Sequence, residues 1–372
     1  MKKSLKVLML AMMALALVFV AAACGSQDET QTEPETGGEQ PQEEQQEETD
    51  QEEAVAELEG EIIVYSSRNE KFVQPLLDKF AEETGLTVRP LHEADALQLR
   101  EEAGNVQADI FISNDVGALE YLRMEDLLTA FEGEGVEAID AQYRADDNSW
   151  IALSARSRGF IYNKDMITEE EMPKTMEDLM DDKFNGQFAI TRGGNGGMIG
   201  NVSALRNEWG DEKTAEWIEA IKENAAGIYN GHGDIRMAVG AGEHAFGLVN
   251  NYYYHQQLEE PTNNNVGFIY PDQGEGEMGV IANAAGVGLV KGAPNEANAK
   301  AFIEWLLLPE NQLAFVGESL EVPMNPDLEP PYAAAVKLSD LKVQKMPLKD
   351  LGQYFEDTKD LIEQSGLDLE LR

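Results

Sequence analysis

The chain has a single cysteine, Cys24, in 372 residues, so no internal disulfide can form and the fold must hold by a packed core. Basic residues are scarce as well: 28 Lys and Arg stand against 70 Asp and Glu, a formal net charge of −42. Such a surface lacks the basic face that neutralises phosphates, which argues against nucleic acid as a partner. It suits either a cationic ligand or a saline or alkaline habitat, because bulk charge speaks to solubility and steering before it speaks to a site. The four histidines, His92, His232, His244 and His255, show no H-x-x-x-H spacing. Nor does any nucleophile stand beside a recognisable base, so the chain reads as a binder and not as an enzyme.

Long apolar runs are missing too, apart from Val7 to Val20, which follows Lys2, Lys3 and Lys6 and precedes Ala21, Ala22, Ala23 and Cys24. That run is short of the roughly 20 residues a membrane span needs, and its flanks are those of a secretory signal. A signal ending at cysteine resembles the lipobox of bacterial lipoproteins, although Ala21 stands where leucine is usual. The resemblance implies that 1–23 is removed and that Cys24 carries lipid, holding the protein on the outer face of the cell membrane. Residues 24–59 are Glu, Gln, Thr and Pro with almost nothing to bury, and read as an acidic, extended tether. Gly25 and that tether fit a Gram-positive surface.

From Gly60 onward strands and helices alternate. Ile62-Ile63-Val64-Tyr65 is a β-branched run, and Phe72, Leu76, Leu77 and Phe80 recur at helical spacing until Gly85. Ala108 to Ser113 is a second apolar strand, and the pattern restarts at Arg158 to Tyr162. An α/β fold with a largely parallel sheet follows, and the length implies two lobes with a ligand cleft between them. The expected division is 60–155 with 281–330 as the N-terminal lobe, and 156–280 with 331–372 as the C-terminal lobe.

Val249-Asn250-Asn251-Tyr252-Tyr253-Tyr254 leaves a strand and enters a helical pattern. Three successive phenols cannot all face one core, since neighbours on a helix fan by about 100° per residue. They either pack or reach a cleft, and the carboxyl end of a strand is where open α/β sheets bind ligands. The glycine cluster Gly193-Gly194-Asn195-Gly196-Gly197 is either an anion-holding nest or a plain loop. Arg68 is either a surface ion pair or a planar fork for an anion.

Val64-Tyr65-Ser66-Ser67-Arg68-Asn69, Ala108-Asp109-Ile110-Phe111, Tyr162-Asn163, Asn250-Asn251-Tyr252-Tyr253 and Val322-Pro323-Met324-Asn325-Pro326 together resemble the bacterial ferric-binding proteins that serve iron ABC importers. These have the type 2 periplasmic-binding fold. The resemblance implies Fe3+ as ligand, with Tyr252 and Tyr253 as the paired phenolates and Tyr162 as a third. Ferric ion is hard and prefers anionic oxygen, and an adjacent cation favours the phenolate over the phenol. Asn69 and Asn114 stand where some members carry histidine and glutamate, which points to the tyrosine-rich subgroup, whose coordination is completed by an anion such as carbonate or by water. Arg68, Asn195, Gly196 and Asn250 are the expected anion-binding residues, and His232 stands where other members have asparagine. The implied protein is monomeric and docks on an importer permease. The same lobes could instead carry a sugar phosphate or phosphonate, or serve as a surface sensor or adhesion module.

Overall fold

A computed structural model of the chain describes residues 58–369 and 371–372; Cys24, the signal segment and most of the tether lie outside them. The first lobe opens with β1 (Glu61–Ser66), α1 (Glu70–Thr84), β2 (Thr87–His92), α2 (Ala96–Glu101), β3 (Ile110–Ser113) and α3 (Val116–Met124). Helix α1 starts where the Asn69 side chain accepts from the Lys71 amide, and buries Val73, Leu76, Leu77 and Phe80. It ends at Gly85, whose φ of 75° lets its amide reach the Ala81 carbonyl, a backbone conformation that favours glycine.

The long strand β4 (Trp150–Asn163) then leaves this lobe for the next, which comprises β5 (Phe188–Thr191), α4 (Gly196–Trp209), α5 (Asp211–Asn224), β6 (Gly227–Tyr229), α6 (His232–Ala241), β7 (Phe246–Asn250), α7 (Asn251–Leu258) and β8 (Val266–Ile269). The chain returns through β9 (Ala282–Leu289), α8 (Glu296–Leu307), α9 (Pro309–Gly317) and β10 (Val322–Pro323), and closes with α10 (Leu351–Ser365). All strands join one sheet in the order β2-β1-β3-β9-β4-β7-β5-β6, with β8 and β10 also paired to β4.

The sheet is mixed where a largely parallel one was expected. Each lobe is parallel at its outer edge, as in β1 with β2 and β3, or β5 with β6 and β7. The centre is antiparallel because β4 and β9 cross between lobes in opposite directions. Trp150 to Ser157 of β4 pairs with β9, and Arg158 to Asn163 pairs with β7 and β8. The lobes therefore meet at Ser157 and Arg158. The tail, expected with the second lobe, lies against both: α10 packs on α3 as well as on α4 and α5, and Val343 bridges to Val280 just ahead of β9.

Each lobe has its own aromatic centre. In the first, Phe80 meets Phe302 and Trp305 edge-on at 4.8 and 5.1 Å. In the second, Phe246 stacks on Phe188 at 5.3 Å and meets Phe184 edge-on at 5.5 Å. Burying each such ring contributes roughly 2 kcal/mol or more, so the walls of the cleft rest on rigid supports.

Candidate functional site

Where β4 crosses, a cleft of about 230 Å³ opens between the carboxyl end of β3, the start of α4 and the start of α7. Tyr252 and Tyr253 enter it from the first turn of α7, with ring centroids 4.4 Å apart. Asn250, the last residue of β7, directs the chain into this turn, so strand and helix together aim both phenols at the same space. Burial, then the neighbouring Tyr253, hold the Tyr252 phenol well above its ordinary value, against the pull of Arg156. Without cargo Tyr252 is a protonated phenol.

Facing them are Arg156 and Arg158 of β4, two residues apart and so on one side of the strand. Arg158 is 4% exposed. Its Nη1 reaches His232 Nε2 at 2.7 Å and Asn250 Oδ1 at 3.2 Å, and its Nε reaches Asn201 Oδ1 at 3.4 Å. Its Nη2 and the Asn201 Nδ2 are buried without a partner. Two orphaned donors at the cleft wall constitute a demand for an anion, since leaving such groups unpaired costs about 1–3 kcal/mol each. Burial drops the Arg158 guanidinium to about 9, despite Tyr252 and Tyr253, which raise it. His232 is driven well below its ordinary value by burial and by Arg158 and Arg156. It is therefore neutral, and Nε2 accepts from Arg158; its ring stands edge-on to Tyr253 at 5.1 Å.

Arg156 is held from behind. Its Nη1 donates to Glu321 Oε1 at 3.3 Å, while Glu321 Oε2 accepts from Arg68 at 2.9 Å and Ser154 at 2.6 Å. Burial opposes ionisation of Glu321, but the two arginines and Ser154 outweigh it and hold the carboxyl at about 2. The floor beneath the cleft is thus a buried Arg68–Glu321–Arg156 ion-pair triad.

The amino end of α4 forms another wall. Asn195 caps it, its Oδ1 accepting from the Gly197 amide at 2.9 Å, and Gly196 begins it. The glycine cluster is thus a helix start whose amides at Gly197, Met198 and Ile199 already donate to Asn195, so what it turns toward the cleft is the positive end of the helix dipole. Gly197 is required by packing: a Cβ there would lie 2.5 Å from the His232 ring. Asp115 and Asn283 close the far side, with Asp115 already engaged by the Gly117 amide and by Asn283.

Tyr252, Tyr253, Asn195, Gly196 and Asn250 are therefore brought together, and two expected residues are not. Tyr162 lies four residues beyond Arg158 on β4, about 13 Å along the strand; it packs against Gly267 of β8, and its hydroxyl meets Glu169 at 3.4 Å. Arg68 is 1% exposed, stacks on Phe315 with its carbon at 4.6 Å and gives Nη2 to Glu321; its Nε and Nη1 are buried without a partner, but it does not line the cleft. Arg156, Arg158 and Asn201 were missed. The alternation Arg156-Ser157-Arg158 was the available signal, and it required reading β4 back to Trp150. No group of three or more His, Cys, Asp and Glu able to hold a metal occurs among the described residues, so a metal here must rely on the phenols.

Two lobes joined by crossing strands around a polar, ligand-sized cleft define a solute receptor. The chain belongs to the family described as bacterial extracellular solute-binding protein, whose profile matches residues 76–340. It is 30% identical to iron uptake protein A1 of Synechocystis over 317 residues, covering 82% of this chain and 87% of that one. It is 26% identical to the Fe(3+)-binding periplasmic protein of Serratia marcescens over 304 residues, or 77% and 88% of the two chains. Among solved structures, iron-bound HitA from Pseudomonas aeruginosa superposes with a TM-score of 0.75 at 25% identity, over 83% of this chain and all of that one. Members of this family bind solutes outside the cytoplasm and deliver them to membrane permeases of ABC importers; they are not enzymes.

Proposed function

We propose that this protein is a ferric-iron receptor for an ABC importer, in which Tyr252 and Tyr253 ligate Fe3+ and an anion seated on Arg158 and the α4 amino end completes the site. The observation that carries it is the opposition of two adjacent phenols to two buried arginines across one cleft. Two phenolates leave a ferric ion with one positive charge. Arg158 adds a second and has an unused donor, so an anion such as carbonate satisfies charge and hydrogen bonding together. The Synechocystis and Serratia relatives, which cover 82% and 77% of the chain, carry iron in their names, which supports the same reading. Tyr162 and Arg68 are left out of the ligand set because of where they lie. Closure of the lobes around the cargo would present the loaded form to a permease. Lipid on Cys24 would keep a monomeric receptor beside that permease, with the acidic tether setting its reach.

Ferric phenolate complexes absorb in the visible, which gives the test. The soluble part of the protein, mixed with a ferric chelate and bicarbonate, is expected to develop a charge-transfer band that Tyr252→Phe diminishes. A colourless wild type that binds an organic phosphate instead would replace iron with that anion as cargo.

A further inference from the structure

The cleft does not end at the arginines. A second cavity of about 160 Å³ continues from it, sharing Asp115, Gly196 and Gly200 with the first. Its walls are Phe111, Ala96, Ala118, Ile199 and Leu351, drawn from both lobes and the tail. The polar side chains at its margin are committed within the protein: Ser67 Oγ accepts from the Asn114 amide, Ser113 Oγ donates to the Asp115 carbonyl, and Ser203 Oγ donates to Thr358. Asp95 caps α2 through the Gln98 amide. Ordered water needs two to four polar partners, and this annex leaves little to offer it. A cavity of about 150 Å³ with apolar walls is already large enough for a benzene ring.

A ferric ion with carbonate would occupy the polar compartment and leave the annex without a use. We infer that the cargo is a ferric complex of a small organic chelator with one apolar end: an anionic, oxygen-bearing head beside Arg158 and the iron, and an alkyl or aryl tail in the annex between Phe111, Ala118 and Ile199. This rests on the ferric reading and specifies what travels with the metal. The shared residues fix the geometry, because a head bonded at the α4 amino end lies next to Gly196 and Gly200, which form the mouth of the annex.

Malonate and phenylmalonate make a matched pair, with one chelating head and a tail present or absent. Iron affinity is measured for the soluble part of the protein by competition with a fixed external chelator in each anion. The expected result is iron held at least tenfold more tightly with phenylmalonate. Ala118→Leu and Ala96→Leu, which fill the annex from two different helices, are expected to reduce that preference below threefold while leaving the malonate value unchanged. Equal affinities in the wild type overturn the inference alone, as do variants that weaken both anions equally. Failure to take up iron with either anion overturns the ferric reading, and this inference with it.

Discussion

Glu321→Gln removes the only charge that separates two buried arginines beneath the cleft. Glu321 is 2% exposed and bonds Arg68, Arg156 and Ser154 at once. Its carboxyl lies at about 2 instead of the ordinary 4.5, which at about 1.4 kcal/mol per pH unit corresponds to about 3 kcal/mol of stability. The same size follows from the usual cost of breaking a buried ion pair, about 3–5 kcal/mol. The folded-state value is depressed, so the contribution is complete above 4.5 and is lost as the pH falls through about 2. At pH 3 roughly half should remain. Urea unfolding followed by tryptophan fluorescence at pH 7 and pH 3 measures both points. The variant should be about 3 kcal/mol weaker at pH 7, with the deficit shrinking on acidification. A deficit below about 1 kcal/mol at pH 7, or one that grows toward pH 3, would refute the assignment of Glu321 as the charge that balances the triad.

Three further outcomes are expected. Gly197→Ala places a Cβ 2.5 Å from the His232 ring; it should displace that ring from Arg158 and weaken iron retention at least tenfold, while the unfolding free energy from urea titration falls by no more than about 1 kcal/mol. Arg158→Gln removes the cation whose Nη2 is unpaired, so iron affinity should lose its dependence on added bicarbonate in a chelator competition. Because Tyr252 keeps its proton in the free protein, iron uptake must expel it. Affinity should therefore rise with pH between 5 and 8, and an indicator dye should report about one proton fewer per iron in Tyr252→Phe than in the wild type.

The tyrosine wall was legible because position and residue type agreed. Tyr252 and Tyr253 follow the end of a strand, and open α/β sheets bind ligands there. The arginine wall was not, because reading the strand from Arg158 hid the first eight residues of β4 and with them the shared face of Arg156 and Arg158. Arg68 was assigned to the anion because its true partner, Glu321, is 253 positions away, and nothing local in the sequence pairs them. Tyr162 sits on the right strand at the wrong height, a distinction that depends on where β4 crosses between lobes. The antiparallel centre of the sheet escaped notice for the same reason: β9 looks like any buried strand until its return direction is known.

The electrostatics of the cleft also bear on the order in which cargo assembles. In the free protein burial keeps the Tyr252 proton in place, and the same burial weakens the Arg158 cation. Burial thus leaves Tyr252 a neutral phenol and Arg158 a cation without its full complement of partners, so neither is a strong site alone. Bringing a ferric ion to this wall first would set it against two guanidinium groups, with Glu321 already engaged by Arg68 and Arg156. An anion arriving first meets the opposite situation. It satisfies Arg158 Nη2, cancels the positive potential of the arginines and the α4 amino end, and supplies oxygen ligands before the metal comes. Iron then has to displace the Tyr252 proton, whose loss Arg156 favours. Anion and metal should therefore bind with positive coupling, and by linkage iron must raise the affinity for the anion by the same factor as the anion raises the affinity for iron. Labelled bicarbonate should accordingly bind more tightly to the iron-loaded protein than to the iron-free protein in equilibrium dialysis, and equal affinities would refute the coupling.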